Sequence, residues 1–168
     1  LWKLERKVYH LDPRPVDLIR ILHNVKRSLD GLCTTGGVHL AVNLSGHPVS
    51  QSDRYEVMGE ELLCYSMLHN LVKNAVESSP EGDRVAIDLE DREHVRRIRI
   101  TNTGVVPLEI RSRFMEKGAT YGKKDARGLG GYVSRLMAEA MNAVVRLDTD
   151  DGRGVTSLSI DFPSRNVS

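Results

Sequence analysis

The sequence predicts an α+β fold: a two-layer sandwich in which one mixed, mostly antiparallel sheet is covered by helices on one face. Three observations lead there. Apolar residues recur at steps of three and four in several stretches, as along a helix with one buried side. Elsewhere they alternate with polar residues, the mark of half-buried strands. The stretches follow the order helix, strand, helix, two strands, long loop, helix, two strands. A doubly wound parallel sheet needs regular alternation of strand and helix, which is missing, whereas neighbouring strands joined by hairpins suit a helix-covered sandwich.

Residues 1–12, LWKLERKVYHLD, read as the end of a helix that continues upstream, followed by a short strand. Pro13 and Pro15 then punctuate the chain. PVDLIRILHNVKRSLDGL reads as a helix with Leu18, Ile21, Leu22, Val25 and Leu29 on one face, and Gly31 and the pair Gly36 and Gly37 are its expected stops. VHLAVNLSG, from Val38, alternates as a strand, and residues 48–53 form a polar loop. From Gly59 a second helix carries Leu63, Met67, Asn70, Leu71 and Asn74 along one stripe and ends near SSPEGD. RVAIDLE (84–90) and HVRRIRITN (94–102) are strands. AVVRLDTD (143–150) and GVTSLSIDF (154–162) are two more, with a hairpin turn at Asp150, Asp151 and Gly152. Between the two pairs, VPLEIRSRF has a short helical pattern and GYVSRLMAEAMN is a helix. They are separated by MEKGATYGKKDARGLGG, seventeen residues with five glycines and almost no apolar content. Loops of that length in a compact domain usually carry function.

A chain of 168 residues suffices for one domain with its own core, and 40% hydrophobic with 28% charged residues is ordinary for a soluble globular protein. The net charge of +1 excludes a field strong enough to attract nucleic acid or an anionic membrane. No run approaches 18 apolar residues, so no span and no direct membrane contact by this segment are expected. There is no signal peptide, and a start at Leu1 suggests a piece of something longer. Cys33 and Cys64 have no metal-type spacing, and a reduced cytoplasmic setting is the simpler reading. The histidines His10, His23, His39, His47, His69 and His94 show no ligand pattern.

Three short segments carry candidate chemistry. In HNLVKNAVESSP, Asn70 and Asn74 are one helical turn apart, so their side chains point the same way. An Asn offers a carbonyl oxygen, a hard ligand for Mg²⁺, and two amide donors for phosphate oxygens. Taken alone the pair fits a buried polar network or an exposed patch as well as a ligand site. In TNTGVVP, Gly104 lets the backbone approach a flat ligand, and Asn102 at a strand end is placed to meet an amino group on a base; a simple turn after an edge strand is the other reading. In GKKDARGLGGY, Gly128, Gly130 and Gly131 open a helix whose N-terminal amides suit anions, with Lys123, Lys124 and Arg127 beside them. It matches neither GxxxxGK[ST] nor a GxGxxG placed directly after a strand.

In this order the three segments resemble the N, G1 and G2 boxes of the catalytic ATP-binding domain of bacterial sensor histidine kinases, within the GHKL superfamily of gyrase, Hsp90 and MutL-type ATPases. HNLVKNAVESSP is similar to the N box, TNTGVVPLEIRSRFMEKG to the G1 and F boxes, DARGLGGYVSRLMAEAMNAVVRL to the G2 box with its helix, and GRGVTSLSIDFP to the final strand. The resemblance covers roughly residues 10–163 and implies a Bergerat-type fold, with 1–12 as the end of an upstream dimerisation helix or linker and 13–168 as the ATP-binding catalytic domain.

By resemblance the cofactors are ATP and Mg²⁺. Asn74 ligates the metal, Asn70 sits by the phosphates or their water, and Lys73 contacts phosphate from the next helical position. Asn102 takes the place of the adenine-reading aspartate and Gly104 gives the close approach to the base. Residues 115–127 form a lid, with Lys123, Lys124 and Arg127 near the phosphates and Gly128, Leu129 and Gly130 at the helix start. Asn70 and Lys73 are the expected catalytic pair. Two departures stand out. DxGxG is replaced by NTGVV, so Asn102 offers a neutral bond in place of a charge-assisted one, a loss of about 1–2 kcal/mol, and Val105 or Val106 stands at the second glycine. Arg127 stands where Thr is common.

The implied function is transfer of the γ-phosphoryl to a histidine on a dimerisation domain, and from there to a response-regulator receiver domain, in a homodimeric parent whose membrane anchorage is left open. The stretch before Asp12 is too short for the phospho-accepting histidine and its helical hairpin. Two alternatives remain: a degenerate GHKL module with weak or lost ATP binding, acting in regulation or interaction, and another GHKL kinase or ATPase.

Overall fold

The computed structural model describes residues 1–6, 9–106, 108–111, 116 and 130–164. The chain forms α1 (Trp2–Glu5), β1 (Arg14–Asp17), α2 (Leu18–Gly36), β2 (His39–Leu44), β3 (His47–Pro48), β4 (Glu56–Gly59), α3 (Glu61–Ser78), β5 (Arg84–Asp91), β6 (Val95–Thr103), α4 (Leu108–Arg111), α5 (Gly130–Ala140), β7 (Val144–Asp150) and β8 (Val155–Pro163). Six strands make one sheet in the order β3-β2-β5-β6-β8-β7, and β1 pairs with β4 in a separate ribbon. Only β2 and β5 run parallel; every other pairing is antiparallel. The mixed, mostly antiparallel sheet of the sequence reading is thereby found.

Alternation along the strands decides which face the helices cover. Val85, Ile87, Leu89, Ile98, Ile100, Leu158, Ile160 and Phe162 are buried on one side, with α2, α3 and α5 packed over it. Each side chain of this size stabilises by about 1.5–3 kcal/mol when taken out of water. The opposite side is polar, with Asp88, Glu90, Arg97 and Arg99 on adjacent strands. There Asp161, only 6% exposed, accepts from Arg97 at 2.7 and 2.8 Å and from Arg146 at 2.9 Å.

Local chemistry sets the helix ends. The Asp17 carboxylate accepts from the Ile19 N–H at 3.1 Å, so α2 begins one residue later and Asp17 closes β1. Gly31 lies inside α2; the helix stops at Gly36, and Gly37, at φ +63°, is its left-handed cap. The expected stop at Gly31 is therefore corrected: one helical glycine costs about 1 kcal/mol, which the buried Leu18–Leu29 face outweighs.

The ribbon of β1 and β4 was not expected from the sequence, and neither was β3. Tyr55, just before β4, is buried, and its hydroxyl donates to the Glu90 carbonyl at 2.7 Å while the Arg96 guanidinium lies 5.0 Å from the ring centre. Burial raises its hydroxyl pKa well above the usual phenol value. The short helix within residues 1–12 is present as α1, but the strand that follows is β1, beyond Pro13. No helix among the described residues is long and apolar enough to cross a membrane.

Candidate nucleotide site

α3 buries Leu63, Cys64, Met67, Leu68, Leu71, Val72, Ala75 and Val76. Asn70 and Asn74 are half-buried at the margin of that face rather than within it. The margin matters because Asn74, Ala75 and Ser78 there look across at the ends of β6 and β8. Together with Leu71, Ile100, Asn102, Gly104, Val106, Leu147, Thr156 and Leu158 they enclose a slot of about 50 Å³. That is far below the 300–1,000 Å³ typical of ligand pockets, so a nucleotide needs the slot to widen. Its walls are apolar, and its polar groups are few and fixed.

Those polar groups are held by the strand ends. Asn102 and Thr156 are register partners on β6 and β8. Gly104 follows β6 at φ +123°, a backbone that L side chains rarely adopt, and its N–H donates to the Gly154 carbonyl at 2.8 Å. The Thr156 hydroxyl donates to the Gly104 carbonyl at 2.7 Å, pinning this turn from inside the slot. The Asn102 amide donates to the Thr103 carbonyl at 3.0 Å. Just beyond, Arg111 of α4 donates to the Val106 carbonyl at 2.7 Å and pairs with Asp151 in the β7–β8 turn, with one N···O separation of 3.0 Å.

Gly130, the first residue of α5, reaches the same place: a Cβ added to it would stand 3.5 Å from the Asn74 amide nitrogen. Ser134, fully buried, donates to the Gly130 carbonyl at 2.7 Å, fixing the first turn of that helix. Asn74, Asn102, Gly104 and Gly130 are thus brought together from three separate segments. Asn70 does not line the slot. Lys73 is 48% exposed, 3.8 Å from Glu77, and also outside the lining. Lys123, Lys124, Arg127, Gly128 and Leu129, and the expected lid at 115–127 apart from residue 116, lie outside the described residues.

The sequence reading missed Thr156. A polar residue in step with Leu158 and Ile160 on the apolar face of β8 was the available signal. Among the described residues no group of three or more His, Cys, Asp or Glu is arranged to hold a metal. The one oxygen donor expected for Mg²⁺ is the Asn74 amide, against the glycine that opens α5. One protein oxygen suits Mg²⁺, which keeps waters and takes further oxygens from phosphates.

The described geometry is a slot at the end of a mixed, helix-covered sheet, with Asn74, Asn102 and the positive-φ Gly104 in its lining. The sequence profile of the histidine kinase-, DNA gyrase B- and HSP90-like ATPases matches residues 59–166, and the chain belongs to that family. It is 25% identical over 151 residues to sporulation kinase A of Bacillus subtilis, covering 89% of this chain and 24% of that protein. To the sensor protein DegM of a Bacillus species it is 30% identical over 144 residues, covering 84% of this chain and 37% of that protein. The chain therefore spans about a quarter to two-fifths of these curated relatives. Among solved structures, a mycobacterial sensor histidine kinase, MprB, superposes with a TM-score of 0.72 at 21% identity over 91% of this chain and 98% of that one. Full-length ShkA, in complex with AMPPNP, superposes at 0.74 and 21% identity over 92% of this chain and 32% of that one.

Proposed function

We propose that residues 13–168 are the ATP-binding catalytic domain of a sensor histidine kinase, acting in the cytoplasm, and that residues 1–12 end a helix of the domain before it. The domain holds Mg·ATP and presents the γ-phosphoryl to a histidine on that dimerisation domain, in a homodimeric parent. A response-regulator receiver domain is the next acceptor. The observation that carries this reading is the convergence of Asn74, Asn102 and Gly104 on one apolar slot, with Gly130 placed against the Asn74 amide. Relatives named as sporulation kinase and sensor protein support it.

In this reading the adenine ring enters between Ile100, Val106 and Leu158 and meets Asn102, while Gly104 supplies clearance for it. Thr156 holds the Gly104 turn at the height the base requires. Asn74 supplies the protein oxygen to Mg²⁺, which neutralises charge on the phosphates. Asn70, one turn earlier on α3, orients the phosphates or their water, and Lys73 reaches a phosphate only by leaving Glu77. With little covalent chemistry for the protein to perform, positioning and charge neutralisation are what these residues provide.

The test is a titration with a fluorescent ATP analogue in the presence of Mg²⁺. Saturable binding is expected, and Asn74→Ala should abolish its Mg²⁺-dependent part. No binding at millimolar nucleotide would defeat the proposal. It would favour instead a degenerate module, a reading that the neutral Asn102 in place of a carboxylate supports. Acid-labile phosphate on a supplied dimerisation domain separates a histidine kinase from a serine kinase of the same superfamily, whose product is acid-stable.

A further inference from the structure

A cleft much larger than the slot lies elsewhere. It measures about 870 Å³, opens between α2 and the outer edge of β2, and shares no lining residue with the nucleotide slot. Its apolar lining comes from Leu22, Leu40, Ala41, Val42 and Val49. Its basic residues are Arg20, His23 and Lys26 of α2, Arg54, and His39 and Arg84, cross-strand partners on β2 and β5.

The distribution of charge within the cleft is uneven. Arg20 is committed to Glu61 by two bonds of 3.0 and 2.9 Å, and Arg54 to the carbonyls of Gln51 and Asp53 at 3.2 and 2.8 Å. The two carboxylates in the lining, Asp17 and Glu56, face each other in the β1–β4 ribbon, and Asp17 already accepts from the Ile19 and Tyr55 N–H groups. Asp30, one helical turn beyond Lys26, lines a smaller adjoining hollow but stands in no ion pair with it. That leaves His23, Lys26, His39 and Arg84 exposed and without a carboxylate partner among the described residues. Arginines on the neighbouring strands behave differently: Arg97 and Arg99 both have carboxylates within 3.2 Å.

We infer that this cleft binds an amphipathic organic anion, its apolar or aromatic body against Leu22, Leu40 and Val49 and its carboxylate, sulfonate or phosphate held by Lys26 and Arg84, with His23 and His39 beside them. The volume falls in the range of small-molecule sites, which are mostly apolar with a few convergent polar groups. An anion there gains charge-assisted bonds. The inference does not depend on the nucleotide reading, because the two sites have no residue in common.

The probe is anilinonaphthalene sulfonate, titrated into the folded 168-residue chain and followed by fluorescence, with uncharged phenylnaphthylamine as the control. Saturable binding is expected, unchanged by excess Mg·ATP and about tenfold tighter than the control. Lys26→Glu with Arg84→Glu should weaken it by a similar factor or more, with the circular dichroism and melting of the parent. If that double variant melts early, Arg84→Gln alone serves, since Arg84 is exposed and paired with no side chain among the described residues; it should still weaken the sulfonate and not the control. Displacement by Mg·ATP, equal binding of the uncharged control, or affinity untouched by the Arg84 change would each overturn the inference. Failure of the nucleotide titration would leave the probe's response to Arg84 intact, so the two readings fail separately.

Discussion

Gly104 lines the candidate nucleotide slot and Gly130 stands against its Asn74, yet alanine at the two positions should act through opposite mechanisms. At Gly104 space is not the obstacle: an added Cβ would lie 3.7 Å from the Ser78 carbonyl and 3.9 Å from the Asn102 amide nitrogen, ordinary contact distances. The obstacle is φ +123°, which an L residue reaches only under strain of about 1–3 kcal/mol. Relaxing toward negative φ would break the 2.8 Å bond to Gly154 and the 2.7 Å bond from Thr156, each worth about 1 kcal/mol. Gly104→Ala should therefore lose about 2 kcal/mol of stability and lower the melting temperature by about 4–8 °C in a chain this size.

At Gly130 the signs reverse. Its backbone is not in the positive-φ region, and among the described residues a Cβ would meet only the Asn74 amide nitrogen, at 3.5 Å. As the first residue of α5 it should gain from alanine's helix propensity, up to about 1 kcal/mol, so stability holds or rises. The new methyl group fills the space beside Asn74, and Mg²⁺-dependent nucleotide affinity should fall about tenfold or more. Paired denaturant melts and nucleotide titrations read both variants. A Gly104→Ala protein as stable as the parent, or a Gly130→Ala protein that melts early and binds normally, would refute the argument from backbone and contact.

Asp161 predicts the acid limb of stability. Hydrogen bonds from Arg97, and then the charges of Arg97 and Arg146, hold its carboxyl below the usual carboxylate range despite burial. A depressed folded-state pKa gives stability that is full above the unfolded value of about 3.9 and lost as pH falls through the folded one, so melting should drop below about pH 4. Asp161→Asn should flatten that limb and cost about 3 kcal/mol at neutral pH, as expected for breaking a buried ion pair; an unchanged melt at both pH values would contradict it. At the site, Asn102→Asp should tighten nucleotide binding or leave it alone. A large loss in the same titration would mean that Asn102 is not the base-reading position.

Elements long enough to repeat their pattern were legible before the structure. α2 and α3 each bury five or more residues at helical spacing, and β5 to β8 alternate over seven residues or more. β1 and β4 have four residues each, too few for alternation to stand out, and the role of Asp17 as both strand end and helix cap made β1 read as helix. The parallel pairing of β2 with β5 was illegible for another reason: β3, β4 and α3 intervene, and no local pattern reports a partner so far along the chain.

Of the candidate site, the slot positions Asn74, Asn102 and Gly104 were singled out from the sequence, but its apolar walls were not. Asn74 and Thr156 share a property: each interrupts or borders an apolar face that helix or sheet would otherwise continue. On α3 the interruption comes at the margin next to Leu71 and Ala75, and on β8 it comes one step before Leu158. A core has no use for these hydroxyl and amide groups, since burying them without partners costs about 1–3 kcal/mol each. Thr156 offsets that cost through Gly104, tying the strand end to a backbone position that strains any residue but glycine. That coupling, rather than the asparagines alone, is what turns an apolar gap between helix and sheet into a slot with a defined floor and a defined polar end.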